Sequence, residues 1–154
     1  MSTTKATAAD AELILKLYDL RREPEMRKAR NWFVVTFWPQ TADEILKISA
    51  NLGSQENNWL RQVSGYWSMA ASLVEHGAVD RDLFLEPSIS GEMVLLFAKM
   101  KPFLKELREK QSPTMFVAIE TVINSTEKGR AALQRTETMV SNRIKSLAGA
   151  AKAS

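Results

Sequence analysis

The chain has 154 residues, of which 45% are hydrophobic and 25% charged, with a formal net charge of +3 and no cysteine. That length suits one domain with one sizeable core. The missing cysteines exclude disulfides, thiolate metal sites and thiol catalysis, and the longest apolar runs, Trp32–Trp38 and Met93–Ala98, fall well short of the roughly 20 residues that a membrane-spanning helix needs.

The first ten residues are polar and small, without the apolar centre of a signal peptide, so a cytoplasmic location is expected. A first helix runs from about Asp10 to Arg22 on Leu13, Leu17 and Leu20. Pro24 suits the first turn of a second helix. That helix carries Met26, Ala29, Phe33 and Phe37 on one face and stops at Trp38, before Pro39. Thr41 and Glu44 have the spacing of a capping box, which opens a third helix that ends near Gly53.

Helix Gln55–His76 has the clearest pattern. At about 100° per residue, Trp59, Leu60, Val63, Tyr66, Trp67, Ala70, Leu73 and Val74 share one broad face. Arg61, Ser64, Gly65, Ser68, Ser72, Glu75 and His76 fall opposite, and Gly77 is a natural stop. Asp80 is placed to cap one turn through Phe84. Ser90 opens a helix along Met93, Leu96, Phe97, Met100, Leu104 and Leu107, which Pro102 must kink or split. Ser112-Pro113 is read as the start of a helix Thr114–Asn124, although the β-branched run Met115–Ile123 also suits a strand. The last helix starts near Thr126 and fades after Leu147.

The expected fold is all-α: a single compact bundle of six to eight mostly antiparallel helices over residues 1–154, with residues 1–9 and 148–154 flexible. No repeat or long linker divides it.

Little catalytic machinery can be assembled. The one histidine, His76, lies on a polar face in a last turn, where it suits the helix dipole. No nucleophile-elbow sequence accompanies it. Glycine-rich phosphate loops and histidine zinc spacings are absent. Asp80, Asp82 and Glu86 gather near one turn without a calcium-loop pattern. No metal, no cofactor and no catalytic residue is assigned, and an enzyme is the reading of last resort.

Three features merit a functional reading. Arg21–Arg30 holds five basic and two acidic residues beside Trp32. Arg21, Arg22 and Arg30, with Trp32 and Trp67, are candidate ligand-binding residues for an anion or a small molecule. The alternative is that Arg30 pairs with a buried carboxylate while its neighbours are solvated. The small side chains Ser64, Ser68 and Ser72 allow a second helix, from this chain or another copy, to approach closely. On the last helix, Leu133, Val140, Ile144 and Leu147 form a thin apolar line that suits either the bundle's edge or a contact between subunits.

Two stretches carry a resemblance. Tyr18-Asp-Leu-Arg-Arg-Glu-Pro-Glu-Met-Arg-Lys-Ala-Arg-Asn-Trp-Phe33 and Tyr66-Trp-Ser-Met-Ala-Ala-Ser-Leu-Val-Glu-His-Gly-Ala-Val-Asp80 resemble segments of an uncharacterised family of small all-helical bacterial proteins with no assigned activity. The resemblance implies a helical fold and transfers no site residues. The leading expectation is a non-enzymatic helical interaction or regulatory protein that forms a homo-oligomer. A module binding an anionic ligand or small molecule at residues 21–30 is the alternative. Nucleic-acid binding is a second alternative, with no motif to support it.

Overall fold

The computed structural model describes residues 5–154, and every described element is helical. Helix α1 (Ala8–Leu20) starts at Thr7, whose hydroxyl accepts from Asp10 N while the Asp10 carboxylate accepts from Thr7 N. This reciprocal capping box starts α1 two residues before the position that the apolar spacing suggests. Residues 1–4, part of the stretch expected to be flexible, lie outside the described residues.

Helix α2 (Pro24–Asn31) has the expected proline start, with the Glu23 carboxylate accepting from Met26 N. It then widens into a π-helical turn, Trp32–Thr36, and Phe37 N–H donates back to Trp32 O. Met26, Ala29, Phe33 and Phe37 are all buried, as their spacing predicts. Helix α3 (Ala42–Ala50) is capped by Thr41, but Glu44 turns its carboxylate to Gln40 N instead of closing the box on Thr41.

Helix α4 (Gln55–Glu75) matches its expected span, with Ser54 at one end and His76 as C-cap. Asp80 caps the single turn α5 (Arg81–Phe84) through Leu83 N. Helix α6 (Pro87–Met100) is buried along nearly all of its second half. Pro102 splits the helix that follows: a 3-10 turn, Lys101–Phe103, separates α6 from α7 (Leu104–Lys110).

Helix α8 (Val117–Asn124) is a helix and not a strand, yet it starts three residues later than Ser112-Pro113 suggests. Residues 113–116 form a turn, and Phe116 takes a left-handed conformation at φ 58°. Such a φ is costly for an aromatic residue. Helix α9 (Glu127–Ala153) continues to Ala153, beyond the expected fading at Leu147, where four alanines favour helix despite Gly149.

Counting α5 as a connection, the described residues form eight helices in one all-α bundle. Helices α4 and α6 are its two central members. Helix α4 packs on α2 along one side and on α8 along another; α6 packs chiefly on α9 and also on α8. The core they share includes Trp67, Phe33, Phe97, Met93, Leu96 and Ile119. No described helix is long and apolar enough to cross a membrane.

Two glycines mark opposite extremes of packing. Gly129 is buried where α9 turns back on α8, and a Cβ there would stand 2.1 Å from the Ile123 carbonyl oxygen. At Gly65 on α4, a Cβ would meet nothing within 4 Å. Gly129→Ala must displace backbone and is expected to cost about 3 kcal/mol. Gly65→Ala, in an exposed helix interior, is expected to gain about 1 kcal/mol. Urea unfolding of the two variants should therefore give shifts of opposite sign.

Candidate functional site

The basic corner is not one site. Arg30 leans from α2 to α6, where its Nε donates to both oxygens of Glu92, at 3.1 and 2.9 Å, and its Nη2 lies 2.9 Å from Oε2. The same carboxylate accepts from the indole N–H of Trp67 on α4, at 3.1 Å. Arg30 thus has the buried carboxylate partner anticipated as the alternative to a ligand site. Arg21 is also buried. Its guanidinium carbon stands 5.0 Å from the centre of the Tyr18 ring and 5.3 Å from that of Trp67, and its Nε has no partner among the described residues. Arg22 is exposed. Trp32 is buried elsewhere, stacked at 4.8 Å on Phe37 and 5.9 Å from Trp59. Of the five candidate ligand-binding residues, the fold brings together Arg21, Arg30 and Trp67 and separates the other two.

Seven residues beyond Glu92, on the same face of α6, lies Lys99, a residue that composition alone did not single out. It is 2% exposed. Its Nζ donates to the carbonyls of Phe33 at 2.6 Å and Phe37 at 2.7 Å. It also sits 3.6 Å from the centre of the Trp38 ring and 4.4 Å from that of Phe33. Burial pulls its pKa down to about 7, against an opposing pull from Glu92. A sequence signal did exist: a lysine and a glutamate of opposite sign, seven apart, on a helix otherwise apolar from Met93 to Met100. Tyr66 belongs to the same neighbourhood. Its hydroxyl donates to Leu17 O at 2.6 Å, and burial pushes its pKa up to about 12.

The serine face of α4 behaves differently along its length. Ser72 donates to Ser68 O, and the Ser72 carbonyl is 2.8 Å from Nδ1 of the exposed His76. Ser64 and Ser68 instead border a cavity of about 550 Å³. Its other walls are the end of α3, Met100, and the α7–α8 connection from Gln111 to Phe116. Arg108 braces that connection by donating to Met115 O at 3.1 Å and to Glu120 on α8. At the cavity's edge, Asn57 is 1% exposed. Its Nδ2 donates to Ile48 O and Ser49 O, both at 3.0 Å, which satisfies the end of α3. Two acceptors on the nitrogen side fix the amide's orientation. The Oδ1 of Asn57 has no partner among the described residues.

On α9, Leu133 and Val140 are buried within this chain, while Ile144 and Leu147 are half-buried. Near α5, the Asp82 and Glu86 carboxylates both pair with Lys128. Among the described residues no group of three or more metal-ligating side chains is close enough to hold an ion.

The glutamate at the centre of the buried cluster should be costly to remove. Glu92→Ala leaves Arg30 and the Trp67 indole without a partner and is expected to cost about 3 kcal/mol, with Glu92→Gln nearer 1 kcal/mol. Urea midpoints at neutral pH measure both.

Lys99 has a pH signature. Unfolded, it keeps its proton to about pH 10.4; folded, it releases it from about pH 7. Between these values the unfolded chain binds the extra proton, so stability contributed by this group rises with pH. Unfolding at pH 8.5 should take up close to one proton, as read from calorimetric enthalpies in buffers of different ionisation heat. Lys99→Met should abolish that uptake.

The family model described as Domain of unknown function (DUF4760) matches residues 6–126, from just before α1 to the N-cap of α9. No curated protein and no solved structure matches the chain. The chain belongs to this family of unknown function, in line with the resemblance carried by Tyr18–Phe33 and Tyr66–Asp80.

Proposed function

We propose that this is a non-enzymatic, cytoplasmic interaction protein that self-associates through α1. One observation carries the reading. Placed at 100° per residue, Leu13, Ile14, Leu15, Leu17, Tyr18 and Leu20 spread apolar surface over more than half of the helix circumference. The body of the protein covers only the strip of Ile14, Leu17 and Arg21. Leu15 remains 66% exposed, Tyr18 53% and Leu20 52%. Isolated exposed leucines are ordinary, but Leu15 and Tyr18 stand one turn apart on the same flank of the covered strip and together form a contact surface. The ties of α1 to the body include polar ones: Tyr66 to Leu17 O, Asp10 to Asp80 N, and Arg21 over Trp67. A second copy of α1 supplies the apolar partner that the body does not.

Anion capture at the basic corner is the weaker reading. Arg30 is engaged by Glu92, and Arg22 is exposed to solvent.

Light scattering after size exclusion tests the proposal. The native chain should show a mass above that of one protomer, rising with concentration. Leu15→Glu combined with Tyr18→Glu changes two exposed positions. It should return the mass to one protomer, weakening association at least tenfold, with thermal unfolding little altered. A single-protomer mass for the native chain at millimolar concentration would reject self-association.

A further inference from the structure

We infer that Lys99 is a proton-controlled latch on the Trp38 ring: its ammonium holds the ring against α6, and its neutral amine lets the ring go. Three groups surround Nζ. It donates to Phe33 O at 2.6 Å and to Phe37 O at 2.7 Å, and the centre of the Trp38 ring lies 3.6 Å away. An ammonium has three donors and serves all three groups at once. An amine has two N–H groups and a lone pair. A lone pair aimed at a carbonyl oxygen is strongly repelled, so the two carbonyls keep the N–H groups and the lone pair turns to the ring. The face of that ring is itself electron-rich. Loss of the proton therefore replaces a desolvated cation–π attraction with repulsion, while both carbonyl bonds persist.

The ring that faces this change is free to respond. Phe33, the other ring beside Nζ, is fully buried within the π-helical turn. Trp38 is half-buried and lies outside the helices, between the π-helical turn and α3. Its indole N–H donates to Val35 O at 3.1 Å, a bond that ties the ring to its own segment and not to α6.

The surroundings make the proton of Lys99 easy to lose. The side chain is buried, and no described carboxylate forms an ion pair with it. Glu92 of α6 pulls toward the charged form, but its carboxylate is engaged by Arg30 of α2 and Trp67 of α4. The other charged groups around the ring are Arg143 of α9, with its guanidinium carbon 5.9 Å from the Trp38 centre, and the exposed Glu44, Lys47 and Glu56, which border an open groove with Trp38. None of these is a histidine, the usual group that changes charge near neutrality. Burial brings Lys99 there instead, to a pKa of about 7. Above that pH, Arg143 is the cation left beside the ring, and Trp38 passes from α6 toward α9.

Proton–proton Overhauser contacts between the Lys99 ε-methylene and the Trp38 ring, followed in the full-length protein, test this. They should be present at about pH 5.5 and lost at about pH 9, and the loss should track the titration of the Lys99 ε-carbon. Lys99→Arg, charged throughout this range, should keep contact between its side chain and the Trp38 ring at the higher pH. Lys99→Met, uncharged throughout, should leave the Trp38 ring resonances independent of pH. An ε-carbon that does not titrate below about pH 9, contacts that persist after it has titrated, or Trp38 resonances that still follow pH in folded Lys99→Met would each overturn the inference.

Discussion

Glu92 joins three helices at a single carboxylate. It stands on α6, takes the guanidinium of Arg30 from α2, and accepts the indole N–H of Trp67 from α4. Seven residues along, Lys99 reaches the far end of the α2 segment through Phe33 O and Phe37 O. The segment from Pro24 to Phe37 is thus held against α6 at two points by opposite charges. The π-helical turn explains why the second point is needed. The segment ends ahead of Pro39, which has no N–H to continue the ladder, so terminal carbonyls lack backbone donors. A buried ammonium supplies two donors at once. The Trp38 and Phe33 rings offset part of the desolvation cost of that charge. Such polar contacts are not a large net source of stability against an apolar replacement. Their effect is to define which face of α2 meets α6, because any other register would strand a charge.

This arrangement decides the fate of the neighbouring charges. With Trp67 held by Glu92, its ring presents a surface on which the Arg21 guanidinium rests. Arg21 ends α1, so the same tryptophan connects the central network to the outermost helix. Tyr66, its neighbour in sequence, fastens the middle of α1 through Leu17 O and meets Trp67 edge-on at 4.9 Å. Helix α1 is therefore fastened by directional contacts along a narrow strip. The apolar residues that flank the strip, Leu13 with Leu20 on one side and Leu15 with Tyr18 on the other, stay outside it.

Periodicity made most of the helices legible. The 21-residue span of α4, the proline start of α2, the Asp80 cap and the break at Pro102 each rest on local chemistry that needs no tertiary knowledge. Three things were beyond local chemistry. The widening at Trp32–Thr36 changes hydrogen-bond spacing without changing residue type. The delayed start of α8 depends on Phe116 accepting a left-handed backbone, which packing imposes against its preference. The partner of Arg30 lies 62 residues away, and a single sequence cannot choose Glu92 from the other acidic residues of the body. Asn57 was hidden for a related reason. It lies among residues that open α4, and its role emerges only when the end of α3 arrives with two carbonyls to satisfy.

Helix α6 also constrains what the matched segment of this chain requires. Its second half is buried on nearly every side, and α9 covers one of those sides. The family match ends at Thr126, the residue whose hydroxyl caps α9 through Gly129 N. In this chain the cover is specific: Gly129 allows α9 to start in contact with Ile123, Leu133 and Val140 enter the core, and Lys101 pairs with Glu137 at 2.6 Å. A helix as apolar as α6 cannot face water along that side, because leaving Leu- and Phe-sized side chains exposed costs about 2 kcal/mol each. The matched segment therefore needs a cover over α6, and here the requirement is met by a helix whose inner line is thin because α6 supplies most of the apolar surface between them.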